Sequence, residues 1–299
     1  MNTVEWFGLA LLLLAIALVA AWRIGNRRWS ALTRDLNARL EAARLPPSPA
    51  RYGAARELDG LPPPVQRFFR AALVDGAAMI AAATVQHRGT FNLNERGGDA
   101  WRPFTSTQRV TLRRPGFVWD ARIAVMPGVA VHVHDAYVAG QGILHPSIAG
   151  LFSLLDLRGG GEIARGELMR FVAEAAWYPT ALLPSQGVRW QAADDQSARA
   201  TVSDGALTLT LTFHFAADTG LIERVRAESR GRMLRGQTVP TPWEGRWSDY
   251  AERDGMRVPL TGEVAWLTAE GRRPYWRGTI TALAFETASQ RNDEAVRTP

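Results

Sequence analysis

Apolar and polar positions change period several times along this chain, and each change predicts a different element. From Trp6 to Trp22 the sequence reads WFGLALLLLAIALVAAW, 17 residues without a charge. At about 1.5 Å per residue that is roughly 25 Å of helix, long enough to cross a bilayer. The bracketing tryptophans suit the two interfaces. A cleaved signal peptide normally opens with basic residues, and Met1 to Glu5 has none, so a retained anchor is expected. Beyond it Trp29, Leu32, Leu36 and Leu40 recur at helical spacing. They predict an amphipathic helix that either packs on the domain or lies on the bilayer surface, stopped by Pro46, Pro47 and Pro49. A short helix follows in VQRFFRAAL, with Val65, Phe68, Phe69, Ala72 and Leu73 on one side and Gly76 at its end.

The period then becomes two. Val85, His87, Gly89, Phe91 and Leu93 alternate with Thr84, Gln86, Arg88, Thr90 and Asn92, and Phe117, Trp119, Ala121, Ile123 and Val125 behave likewise. Turn signals at Gly97-Gly98, Pro115-Gly116 and Pro127-Gly128 separate these strands, and Asp204-Gly205 and Asp254-Gly255 mark later hairpins. Two short helices are expected midway, at about 147–157 and 166–177, joined by a Gly159-Gly160-Gly161 linker that lacks the spacing and lysine of a phosphate loop. The expected fold is α+β: an N-terminal transmembrane helix, then a large curved antiparallel sheet of about ten strands with the two helices inserted. The expected divisions are an anchor over 1–22, a basic helix and Pro-rich linker over 23–60, a β-rich domain over 61–287 and a disordered tail over 288–299.

Charge refines this picture. The formal net charge is +6, and residues 23–56 alone hold eight arginines against Asp35 and Glu41. The excess is therefore juxtamembrane, which suits anionic head groups and not a nucleic-acid face. Arginines cluster after the apolar run and none precedes it, so the positive-inside rule puts the domain on the cytoplasmic side; the alternative is the periplasmic or extracellular side. The chain has no cysteine and no lysine, which excludes disulfides, thiolate chemistry and Schiff-base lysines.

Candidate chemistry is sparse. His132 and His134 share one strand face, but Asp135 points to the other and the remaining histidines are scattered, so no metal and no cofactor are expected. Glu167, Arg170, Glu174 and Trp177 form one helical stripe, more in keeping with an ion-pair row than with a glycosidase carboxylate pair. Arg224, Arg226, Glu228 and Arg230 alternate along one strand face, as a solvated or anion-binding row. Eight tryptophans lie between Trp101 and Trp276, enough aromatic surface to form a core or to enclose an apolar ligand. No GxSxG, GxGxxG or HExxH motif occurs.

LPPPVQRFFRAAL (61–73), PGFVWDARI (115–123), HDAYVAGQG (134–142), RFVAEAAWYPTALLP (170–184) and PYWRG (274–278) resemble the landmarks of an uncharacterised bacterial family of membrane-anchored proteins. The architecture is also similar, by fold analogy, to lipoprotein-carrier half-barrels, a sheet curved around an apolar cavity. The leading reading is a non-catalytic, membrane-tethered module for a lipid or other apolar small molecule, without nucleic acid. Its ligand-binding candidates are Trp119, His134, Asp135, Tyr137, Arg170, Glu174, Trp177, Tyr178, Trp190 and Tyr275. The alternatives are an envelope hydrolase or transferase in which His134, Asp135, Arg170, Glu174 and Tyr178 meet in one pocket, and an envelope interaction scaffold.

Overall fold

In a computed structural model, residues 2–94, 98–234 and 236–288 are described. Most of the expected tail, from 289 onward, lies outside them. One helix, α1 (Thr3–Ala43), runs unbroken through both N-terminal apolar patterns. Its start is fixed by a capping box, Glu5 N–H donating to Asn2 Oδ1 and Asn2 N–H to Glu5 Oε2, each at 2.9 Å. The apolar first half is exposed. In the second half Trp29, Leu36 and Leu40 are buried, the two leucines against Val118, Ala136, Val138 and Ile143 of the sheet. Of the two roles open to this amphipathic stretch, packing on the domain is the one observed.

After the four-residue α2 (Ala54–Glu57), the FFRAA segment forms α3 (Pro63–Ala72), with Val65, Phe68, Phe69 and Ala72 buried. Burial of each such phenylalanine contributes about 1.5–3 kcal/mol. The strands that follow are β1 (Ile80–Asn92), β2 (Trp101–Thr111), β3 (Gly116–Met126), β4 (Val129–Val138), β5 (Gln141–Ile148), β6 (Phe152–Ser153) and β7 (Leu157–Gly159). Helix α4 (Gly161–Ala173) and three short 3₁₀ turns over 174–186 interrupt them. The chain then completes β8 (Arg189–Asp194), β9 (Ser197–Asp204), β10 (Leu207–Phe215), β11 (Ile222–Leu234), β12 (Gln237–Arg253), β13 (Met256–Thr268) and β14 (Gly271–Thr287).

All fourteen described strands belong to one antiparallel sheet, ordered β6-β5-β4-β3-β2-β1-β14-β13-β12-β11-β10-β9-β8, with β7 paired to β5. It is two meanders, β1 to β7 and β8 to β14, sewn together by the pairing of the first strand with the last. The sheet curls until α4 packs against β3, β4, β5 and β7 of one half and β10 and β11 of the other. The result is a half-barrel with a helix across its opening.

The α+β class, the apolar first helix and the large antiparallel sheet agree with the sequence reading, but the strands are fourteen and not ten. Residues 147–157 are not helical. Leu151, Leu154 and Leu155 have helical spacing, yet Ala149 (φ 51°) and Gly150 (φ 69°) reverse the chain there, and β6 returns along β5. Asp254 (φ 50°) and Gly255 (φ 73°) make the tight turn from β12 to β13 that an Asp-Gly pair predicts.

Alternation sets the two faces of β4. Val133, Asp135 and Tyr137 point into the half-barrel, while His132, His134, Ala136 and Val138 point out toward α1. There the Trp29 ring stacks on His134 at 3.9 Å, its Nε1–H donates to Asp120 at 2.9 Å, and Thr33 Oγ1 lies 2.7 Å from His134 Nε2. Burial lowers the His134 pKa to about 4, against the pull of Asp120 and with help from His145, Arg122 and Arg158. A depressed histidine takes up its proton more readily once exposed, so docking strength present above pH 6.5 is lost as the pH falls toward 4. Hydrogen-exchange protection of residues 29–40, relative to the intrinsic rate at each pH, is therefore expected to fall across that interval, and His134→Gln to flatten the response.

Candidate functional site

The half-barrel encloses a cavity of about 820 Å³, within the range of about 300–1,000 Å³ usual for small-molecule sites. Its walls carry Phe91, Trp119, Trp243, Trp247, Trp266, Tyr275 and Trp276. Space for two of these rings comes from glycines. Gly278 pairs with Gly89 on one side and Gly262 on the other, so three glycines lie in a row across β1, β14 and β13. A Cβ on Gly262 would come within 2.5 Å of the Trp247 ring, and one on Gly278 within 2.3 Å of Trp276. The indoles thus lie against bare backbone in the cavity wall.

A buried ionic floor runs under the aromatic walls. Arg170 on α4 donates to Asp135 Oδ2 at 2.6 Å, to Glu174 Oε1 at 2.7 Å and to Gln108 Oε1 at 3.1 Å, with its guanidinium over Phe117 and Trp119. Gln108 closes the ring by donating to Glu174 Oε2 at 2.7 Å. Burial alone would lower the Arg170 pKa, but Glu174 and Asp135 outweigh it and raise it, so the cation is fixed.

Arg230 is the second cation. Its neighbours are Glu167 at 3.7 Å and the Tyr275 hydroxyl at 3.3 Å, with its guanidinium over the Trp243 and Trp266 rings. Trp243 Nε1–H also donates to that hydroxyl at 2.8 Å. Two bulges make this meeting possible. The β11–β12 register shifts between Ala227 and Arg230, which turns Arg230 inward while Arg224 and Arg226 stay on the outer side with Glu244 and Glu228. The β13–β14 register shifts between Val264 and Ala265, so the adjacent Tyr275 and Trp276 both line the cavity.

Glu167 is pushed toward its neutral form. Burial raises its pKa well above the ordinary range, and the Asp135 carboxylate beside it raises it further, more than Arg230 lowers it. Asp135 Oδ1 and Glu167 Oε2 are both buried without a hydrogen-bond donor from elsewhere, and a side-chain hydrogen bond between the two residues adds to the rise of Glu167. A carboxyl whose folded pKa is raised gives stability below its ordinary pKa that is lost as the pH rises through the raised value. Glu167→Gln is therefore expected to flatten the alkaline side of the stability profile and to raise stability at pH 8 by about 1 kcal/mol. Urea titrations at pH 5 and pH 8 read this directly.

Of the residues nominated from sequence, Trp119, Asp135, Arg170, Glu174 and Tyr275 come together at the cavity. The other five do not. His134 points to the opposite side of the sheet, since it neighbours Asp135 on a strand. Tyr137 donates to Asp204 at 2.7 Å, Tyr178 to the Phe171 carbonyl at 2.9 Å, and Trp190 to the Leu182 carbonyl at 2.9 Å. Trp177 is buried behind the wall, against His87, Trp247 and Trp276. The five-residue relay considered for a hydrolase therefore does not assemble, because its histidine lies under α1. Among the described residues no group of three or more His, Cys, Asp or Glu side chains is placed to hold a metal ion. Arg230, Trp243 and Trp247 are wall residues that the sequence reading did not nominate. The strand alternation marks Trp243 and Trp247 as one face, whereas no residue pattern announces the bulge that brings Arg230 in.

Residues 59–285 match a protein-family model described as a family of unknown function, DUF6920. The chain belongs to this family. The DUF6920 match takes in α3 and the half-barrel up to the last two residues of β14, and begins after the long first helix. No curated protein matches the chain. Among solved structures, it is similar to a LolA superfamily protein from Nitrosomonas europaea, at 10% identity and a TM-score of 0.30, over 70% of this chain and 86% of that one. A beta-barrel-like protein of domain of unknown function DUF1849 from Brucella abortus aligns at 10% identity and a TM-score of 0.20, over 70% of this chain and 99% of that one. Likenesses this distant transfer no ligand to the DUF6920 chain.

Proposed function

We propose that this DUF6920 domain is a membrane-tethered binding module whose half-barrel holds a lipid or another amphiphile with an apolar body and an acidic or acceptor-rich head. The observation that carries the reading is an aromatic cavity of about 820 Å³ with a buried cation in its wall. Burial and Asp135 push Glu167 toward its neutral form, and among the described residues Arg230 has only that carboxyl at 3.7 Å and a phenol beside it, an arrangement that favours an anionic group from a ligand. Trp119 and Trp247 give this cavity apolar ring surface for the body of such a ligand. Tethering follows from α1, whose apolar first half is wholly exposed, and the arginines just beyond it favour a cytoplasmic domain.

Solvent extraction of the full chain, purified in detergent, tests the reading. An acidic amphiphile in near-stoichiometric amount is expected, with Arg230→Met losing most of it while remaining folded. Recovery of detergent alone, from both proteins, would contradict the proposal.

A further inference from the structure

The end of the half-barrel at which the cavity opens is also the end at which α1 leaves the domain. Strand direction supports this. In one antiparallel sheet, the β1–β2, β3–β4, β5–β6, β9–β10, β11–β12 and β13–β14 connections all fall along one edge, which curls at its β9–β10 turn until Asp204 meets Arg114 of the opposite edge. The cavity's outer residues come from three of those connections: Asn94 and Trp101, Met233 and Thr238, and Arg272 and Pro274. Helix α1 reaches the same end. A Cβ on Gly25 would come within 2.2 Å of the Ala149 carbonyl oxygen in the β5–β6 turn, while at the helix's other terminus the Leu45 N–H bonds the Arg113 carbonyl in the opposite, β2–β3 turn. Gly25 lies three residues past Trp22, or about 4.5 Å along the axis. The tryptophan that ends the apolar run is thus within one helical turn of the β5–β6 turn.

That end is apolar where a domain surrounded by water would be polar. Phe152 is 68% exposed and Met126 61%, and Ile148, Leu154, Leu155 and Met233 are exposed with them. The Ala149 N–H donates to the Ala130 carbonyl at 3.0 Å, which sets the β5–β6 turn beside the β3–β4 turn that carries Met126. Leu157, two residues beyond the exposed Leu155, already lines the cavity.

We infer that this apolar rim is a second membrane contact: the β3–β4 and β5–β6 turns seat in the head-group region of the leaflet from which α1 emerges, and hold the cavity mouth against the bilayer. The occupant of the patch is the bilayer itself, because the anchor delivers it there and the exposed Arg23, Arg27 and Arg28, within two turns of the end of the apolar run, carry the charge that anionic head groups attract. An apolar ligand then passes between leaflet and cavity along Leu154, Leu155 and Leu157 without crossing water. This inference rests on the membrane-tether reading of α1 proposed above.

The absence of cysteine allows a clean test in the full chain. Single cysteines at Phe152, Met233, Leu13 and Ala217 are labelled with an environment-sensitive fluorophore and reconstituted in vesicles of phosphatidylethanolamine and phosphatidylglycerol, with and without brominated acyl chains. Leu13 reports the anchor, and Ala217 reports the far end of the half-barrel, in the β10–β11 turn. Quenching at positions 13, 152 and 233 but not 217 is expected. Quenching at 13 alone overturns the rim contact and leaves the tether intact. No quenching at 13 overturns the tether reading and this inference with it. A second measurement guards against perturbation by the label: Phe152→Asp with Leu155→Asp is expected to slow transfer of a fluorescent acidic lipid from vesicles at least tenfold, with equilibrium occupancy unchanged. An unchanged transfer rate contradicts the inference.

Discussion

Arg170→Ala is expected to lower the unfolding free energy by about 3–5 kcal/mol, the largest loss from any single substitution in the ionic floor. The guanidinium is buried and supplies a hydrogen bond to each of Asp135, Glu174 and Gln108. Removing it leaves two carboxylates in a site with few other donors and strips the cation from the faces of Phe117 and Trp119. Lysine does not repair the site, because one ammonium cannot reproduce the planar fork that reaches three acceptors on β2, β4 and the turn after α4. Arg170→Lys is expected to recover less than half of the loss. The triple variant Arg170→Met, Asp135→Leu, Glu174→Gln should be more stable than Arg170→Ala, since the deficit comes from stranded charge and not from lost volume. Urea denaturation of the three proteins, followed by tryptophan fluorescence, gives all of these differences.

Gly262→Val is expected to weaken ligand binding at least tenfold, about 1.4 kcal/mol, while costing about 1–3 kcal/mol of stability. The glycine pairs with Trp247 across β12 and β13, and the added Cβ meets the indole at 2.5 Å. Backbone cannot recede there, because Gly262 is also paired to Gly278 of β14. The indole is the part that gives, and it moves into the lumen. Titration with a fluorescent acidic lipid separates this from general unfolding: the binding isotherm shifts while the near-ultraviolet circular dichroism of the remaining tryptophans persists. If binding is unchanged, the ligand does not occupy the space in front of Trp247.

Much of the architecture was legible in the chain because it depends on period. Seventeen uncharged residues, the Trp29-Leu36-Leu40 stripe and the alternation of β1 and β3 each dictate an element through burial alone. The reading failed where backbone conformation overrode period. Leu151, Leu154 and Leu155 look helical, but a turn at Ala149-Gly150 sends them into an exposed hairpin. Arg230 looks like the last member of an outer arginine row until a bulge reverses its face. For the site, strand parity was enough to separate Asp135 from His134, and helical spacing was enough to join Arg170 with Glu174. What parity cannot supply is the neighbour of each residue across a curled sheet. Tyr275 and Arg230 lie 45 positions apart and meet only because both strands bulge.

Native mass spectrometry of the full chain, released from nanodiscs prepared with lipids of its host membrane, is the most direct test of whether this half-barrel is a binding module. The account predicts a bound amphiphile retained after the surrounding lipid is stripped, exchangeable for an added acidic lipid, and depleted in both Arg230→Met and Gly262→Val. A chain that flies without a retained molecule and takes up none on addition would contradict it.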